Sequence, residues 1–136
     1  MTALLIGAQD IRAIDMALVR DHAVINMTSR AASPEQYLAT LARVLEEWGV
    51  SPSSLNAVGV VSGPGSFTSS RVSTLIANAF AFAHGLPVVG VENARREPLE
   101  AVAAQVDWSQ AGLDRFVLPV YDRPAHITLP RNGSAC

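Results

Sequence analysis

Between Arg71 and Glu92 the chain runs for twenty residues, Val72 to Val91, without an Asp, Glu, Lys or Arg. The stretch reads VSTLIANAFAFAHGLPVVGV and follows SGPGSFTSSR, Ser62 to Arg71, which contains a glycine-proline-glycine turn. Gly85 and Pro87 stop a helix near its end, leaving a short strand behind them. A helix on the surface of a soluble protein needs a polar face, and one lacking it is covered on more than one side. A small domain has little interior with which to cover both sides. A second protein is therefore the expected cover for the outer one.

At 136 residues the chain reads as one domain, long enough for a core but short for two lobes enclosing a substrate. A formal charge of −2 and a pI near 5.8 supply no basic field for holding nucleic acid directly. All ten cations are Arg, which removes Schiff-base and P-loop lysine chemistry. The one cysteine, Cys136, excludes a disulfide framework and fits a reducing compartment. The N-terminal MTALLIGAQD lacks the basic region of a signal peptide. Ser73, Thr74, Asn78 and His84 interrupt the uncharged stretch, so no membrane span is expected and the location read is cytoplasmic.

The local patterns give an order of elements. Residues 3–7 (ALLIG) form an apolar run suited to a buried strand, and Ile14, Met16 and Leu18 alternate with the period of a second. Asp21-His22 reads as a tight turn into a third strand, Ala23 to Met27. Ser33-Pro34-Glu35-Gln36 has the form of a helix start, with Tyr37, Leu38, Leu41, Leu45 and Trp48 following at helical spacing up to Gly49. Ala57 to Val61 and Pro87 to Val91 are strands on either side of the uncharged helix. Strand, crossover helix, strand implies parallel neighbours joined in the right-handed sense. A helix over 95–106 and a last strand over 116–120 complete the reading, with a flexible tail beyond Tyr121. The expected class is α/β with a mixed five-stranded sheet in β-β-β-α-β-α-β order. That order belongs to the RNase H-like lobe of actin, sugar kinases and heat-shock ATPases, an analogy of fold and not of activity.

Chemistry is hard to find in these residues. Gly63 and Gly65 permit unusual backbone angles, Pro64 stiffens the turn, and Ser66 or Thr68 can cap the helix that follows. Its amides could receive an anion, but neither GxxxxGK[ST] nor GxGxxG is present, and a structural turn is the better reading. His22, His84 and His126 lack metal-ligand spacing, and Ser66 lacks the GxSxG elbow. Asp10, Asp15 and Asp21 fall near the first strands, where charged faces and turns explain them. No catalytic residue, metal site or cofactor is assigned. On the uncharged helix, Val72, Ile76, Ala79, Phe80 and Ala83 form a stripe expected to face the sheet. Arg71, Leu75, Asn78 and Phe82 form a second stripe, read either as buried against the helix at 34–49 or as a helix-helix seam with a partner.

The segment SGPGSFTSSRVSTLIANAFAFAHGLPVVGV resembles the signature of TsaB, a bacterial family in tRNA threonylcarbamoyladenosine biosynthesis. Gly63, Pro64, Gly65, Ser66, Phe67, Thr68 and Arg71 match its motif turn and helix start, and Gly85, Pro87, Gly90 and Val91 match its later strand. The likeness spans roughly residues 3–106, taken as an N-terminal lobe over 1–106. Residues 107–136 are read as a remnant of the start of a second lobe plus the tail, through FVLPVYDRPAHITLP, Phe116 to Pro130. Ala8, Gln9 and Asp10 stand where the family's first hairpin usually carries Asp-Thr-Ser. Ser69, Ser70 and Ser73 stand where Gly, an aliphatic residue and Gly are usual, which marks a reduced or divergent member. The resemblance implies a non-catalytic subunit that pairs with the catalytic protein TsaD through helices of this lobe, with TsaE in the wider complex and self-association as a further property. It implies no direct contact with nucleic acid. Two other classes compete: an actin-like ATPase or kinase, and a self-associating paralogue without a role in tRNA modification.

Overall fold

The computed structural model of the chain describes residues 1–113 and 115–121. The tail beyond Tyr121, including His126, Cys136 and the rest of the segment read as the start of a second lobe, lies outside the described residues.

Past its first residue, strand β1 (Thr2–Gly7) is apolar because both its faces are covered. Leu4 and Ile6 join Met16, Leu18 and Val58 on one side, while Ala3 and Leu5 join Ala17, Val19 and Val61 on the other. Strand β2 (Ala13–Arg20) pairs antiparallel with β1, Leu18 opposite Leu4. It turns through Asp21 and His22, at φ of 50° and 70°, into β3 (Ala23–Ala31), which continues beyond the expected end at Met27. A single 3-10 turn, Pro34–Gln36, opens α1 (Tyr37–Glu47). The Ser33 N–H donates to Gln36 Oε1 at 3.0 Å, as the sequence of that start suggests. Tyr37, Leu41, Val44 and Leu45 are buried, but Leu38, read as part of the same stripe, is 60% exposed. One residue turns about 100° round a helix, which carries Leu38 away from the sheet beneath Tyr37.

Strand β4 (Ala57–Gly63) lies parallel to β1 with Val58 beside Leu4, and α2 (Phe67–His84) crosses back to β5 (Val88–Glu92), parallel to β4. The sheet order is β3-β2-β1-β4-β5. Helices α1 and α2 cover one face, while α3 (Leu99–Gln105) and Trp108 cover the other. This is the RNase H-like arrangement expected from the order of elements. Helix α3 starts later than expected because Pro98 takes the cap position and fixes the first turn behind it.

Two expectations need correction. Residues 116–120 are extended but form no strand; the Val120 N–H donates to Ser62 O at 2.7 Å, and the Val117 backbone bonds a side chain instead of a neighbouring strand. Pro119, without an N–H, interrupts any regular ladder there. The sheet-facing side of α2 also differs from the expected stripe. Ser69, Ser70, Ser73, Thr74, Ile76, Ala77 and Ala81 are buried, whereas Ala79 and Ala83 are exposed and Val72 and Phe80 only half-buried. Small residues let the helix approach β4 closely, and the larger Val72 and Phe80 lie toward its flank. Thr74 Oγ1 donates to Ser70 O at 2.8 Å, so a hydroxyl is accommodated inside by bonding the preceding turn.

Candidate functional site

The carboxyl ends of β1, β4 and β5 converge where the sheet changes direction of growth, the place where open α/β sheets carry their sites. From β1 comes the hairpin Ala8-Gln9-Asp10, from β4 the motif turn Gly63-Pro64-Gly65-Ser66, and from β5 the loop opened by Asn93. Gln9 joins all three. Its Nε2 donates to Pro64 O at 2.5 Å and to Asn93 O at 2.8 Å, while its Oε1 accepts from Asn93 Nδ2 at 2.9 Å. The Ser66 N–H donates to Gln9 O at 3.2 Å, and the Asn93 N–H to Gly63 O at 2.8 Å. Asn93 is buried, and its Oδ1 also accepts from the Glu97 N–H at 3.0 Å. Beside this network is a cleft of about 230 Å³ lined by Gln9, Asp10, Asp15, Asn93, Arg96 and Glu97.

Charge within the cleft is locally compensated at Asp10. Arg12 Nη2 donates to Asp10 Oδ2 at 3.0 Å and the Arg12 N–H to Asp10 Oδ1 at 2.9 Å. The side-chain hydrogen bond from Arg12, then the backbone one, holds the Asp10 carboxyl at about 2. In an NMR titration Asp10 is expected to titrate near 2 in the parent chain and higher in Arg12→Ala, which removes the side-chain hydrogen bond and keeps the backbone one. An unchanged midpoint in the variant would refute that assignment of cause. Among the described residues, no group of three or more His, Cys, Asp or Glu is placed to hold a metal ion.

The motif turn launches α2. Its Gly63–Pro64 peptide is cis, and Gly63 has φ of 129°. Ser66 caps the helix, its Oγ accepting from the Ser69 N–H at 3.1 Å; Thr68, the other candidate cap, is exposed. Phe67 lies outward against Tyr121, with ring centroids 4.6 Å apart.

The four seam residues do not behave alike. Arg71, Leu75 and Phe82 are exposed, Leu75 by 62% and Phe82 by 82%. Asn78 is half-buried and engaged within the chain: its Nδ2 donates to Val117 O and its Oδ1 accepts from the Val117 N–H, both at 2.9 Å. It therefore fastens the extended segment 115–121 along α2. Phe116 and Leu118, on either side of Val117, are 71% and 77% exposed and extend the apolar character of this surface. The sequence reading missed Phe116 and Leu118 as surface residues and missed Asn93 as a network residue. Their shared clue was position: an uncharged FVLPV run after the last helix, and an amide just past a parallel strand. Among the described residues, no helix is long and apolar enough to cross a membrane.

Sheet order, crossover and motif turn define an RNase H-like lobe of the kind found in TsaB, as the signature suggested. A family model described as TsaD, tRNA N6-adenosine threonylcarbamoyltransferase, matches residues 26–111, more than half of the chain, and the chain belongs to that family. Two proteins named tRNA N6-adenosine threonylcarbamoyltransferase, from Geobacillus kaustophilus (strain HTA426) and Geobacillus thermodenitrificans (strain NG80-2), are 42% and 44% identical to it over 59 residues. That alignment covers 43% of this chain and 17% of each relative. Among solved structures, YeaZ (TsaB) from Pseudomonas aeruginosa matches with a TM-score of 0.59 and 25% identity, over 68% of this chain and 44% of that one. A second structure, of a protein with similarity to peptidase YeaZ from Pseudomonas aeruginosa, gives 0.56 and 26%, over 68% of this chain and 43% of that one. The chain thus spans less than half the length of each of these relatives.

Proposed function

We propose that this chain is a TsaB-like, non-catalytic partner subunit in tRNA threonylcarbamoyladenosine modification, docking on a TsaD-type catalytic subunit through the outer face of α2. The observation that carries this reading is the exposed apolar surface of Leu75 and Phe82 along the outer face of α2, joined by Phe116 and Leu118 on the segment fastened to it. Covering Leu75 and Phe82 would contribute about 1.5–3 kcal/mol each before association costs are met. Arg71, exposed at the head of the stripe, supplies a polar rim. The non-catalytic part rests on the hairpin at 8–10. There Gln9 and Asp10, at the positions of the family's usual Thr and Ser, are engaged by Pro64, Asn93 and Arg12. No cofactor enters this reading, and the cytoplasm is its setting.

The test is to mix the purified chain with the TsaD-family subunit of the same genome and measure mass by size-exclusion with light scattering. A stable hetero-complex, and loss of threonylcarbamoyladenosine from tRNA when the gene is deleted, are expected. A chain that stays monomeric and ignores the catalytic subunit would overturn the proposal. A homodimer with unchanged modified nucleoside would favour the self-associating paralogue. Micromolar Mg-ATP binding with hydrolysis by the chain alone would favour the ATPase.

A further inference from the structure

The segments that meet at the motif turn are distant in sequence, and one side chain spans them. Gln9 follows β1, Pro64 follows β4 and Asn93 follows β5; the Gln9–Asn93 contact bridges 84 positions of chain. The Gln9 carboxamide uses both ends, Nε2 donating to two backbone carbonyls and Oε1 accepting from the Asn93 amide. Its main chain also accepts from the Ser66 N–H, the residue that caps α2. A carboxamide suits this position because it presents a donor and an acceptor side by side, which neither a carboxylate nor a hydroxyl of equal reach does.

We infer that Gln9 is the positioning residue for the motif turn, locking Pro64 to Asn93 and thereby setting the direction in which α2 leaves the sheet. The consequence for docking rests on the function proposed above; the lock itself belongs to the isolated chain. The lock makes the cleft side of the domain and the outer face of α2 parts of one unit.

Two substitutions separate positioning from general support. Gln9→Ala removes all three side-chain bonds. Gln9→Glu keeps the length but turns a carboxylate toward the Pro64 and Asn93 carbonyls, where only the protonated acid can donate. Two carbonyl acceptors against one donor, Asn93 Nδ2, favour the neutral acid, so its pKa rises above the ordinary value of about 4.3. The folded state then prefers the proton: below about pH 4 the single O–H keeps one of the two carbonyl bonds, and the turn loosens further as pH rises through the raised value. The neighbouring charged groups are Asp10 and Arg12 on the hairpin, Asp15 on β2, and Arg96 and Glu97 after β5, while the turn at 63–66 has none. All of them are present in the parent chain, which serves as the control for their titration.

Amide exchange followed by NMR, corrected for intrinsic rates, reads the outcome. In Gln9→Ala the amides of Ser66, Ser69 and Ser70 are expected to lose protection roughly tenfold or more, while those of the β2–β3 hairpin keep theirs. In Gln9→Glu the same loss should develop between about pH 4 and 7 and be absent from the parent. If Gln9→Ala does not fold, Gln9→Glu at low pH still supplies the comparison. Equal loss over the whole sheet, no loss at the turn, or a flat profile in Gln9→Glu would overturn the inference. A chain that shows the turn-specific loss but binds no TsaD-family subunit would sink the docking role and leave the lock standing.

Discussion

Phe82→Glu is expected to abolish binding to a TsaD-family subunit while leaving the fold intact. The side chain is 82% exposed near the end of α2, so the isolated domain loses little packing. Surface changes of this kind usually fall within about 0.5 kcal/mol of the parent stability. In a complex the same position would be covered, and a carboxylate enclosed without a cation costs far more than a lost aromatic contact. Breaking or mismatching a buried charge typically costs about 3–5 kcal/mol, which corresponds to at least a hundredfold in affinity. Leu75, about two turns toward the motif turn on the same stripe, should follow the same direction with a smaller effect. Calorimetric titration of parent and variant against the catalytic subunit, with circular dichroism as the check on folding, decides the matter. Affinity within about twofold of the parent would move the interface off this stripe. The next surface to test would then be α1, where Leu38 stands exposed.

Gly63→Ala is expected to be the most destabilising single-methyl addition at the site. Gly63 has φ of 129°, a region that L side chains rarely adopt, and an added Cβ would fall on the carbonyl oxygen of Val120. Both parts of the cost matter. Strained backbone of this kind costs about 1–3 kcal/mol. The collision adds to that by forcing segment 115–121 away from the helix, with loss of the Val120–Ser62 hydrogen bond. A total of roughly 2–4 kcal/mol is expected, read from the denaturant midpoint. Gly49→Ala separates the two effects, because Gly49 also has positive φ, 66°, but no atom within 4 Å of an added Cβ. It should therefore show backbone strain alone, about 1 kcal/mol. Equal midpoint shifts in the two variants would remove the collision from the explanation. In Gly63→Ala the Val117 amide, held by Asn78, should also exchange faster; unchanged protection there would show that the segment had not moved.

Segment 115–121 explains why the outer face of α2 is harder to read than its core. Asn78 sits in the sequence as a polar member of an exposed stripe, and nothing local distinguishes a free amide from one fastened to Val117. Once fastened, it carries Phe116 and Leu118 to the surface alongside the helix. The exposed apolar area is thus assembled from two parts of the chain.

What the sequence determined by itself was whatever depends on neighbours a few residues apart. The alternation in β2, the cap at Ser33, the positive-φ turn at Asp21-His22, the stop at Gly85 and the cap at Ser66 each follow from local sterics and hydrogen bonding. With short connections and right-handed crossovers, those elements leave few ways to build a sheet, so the RNase H-like order was legible as well. Tertiary structure alone decided which side of α2 meets the sheet. Helical spacing marks several possible stripes, and the close approach to β4 selected Ser70, Ser73, Thr74, Ala77 and Ala81 over Ala79 and Ala83. It also decided that Gln9, Pro64 and Asn93 meet. Their contact closes loops of more than fifty residues, and no local preference encodes a side-chain hydrogen bond across such a distance; it exists because three parallel strands end at the same level.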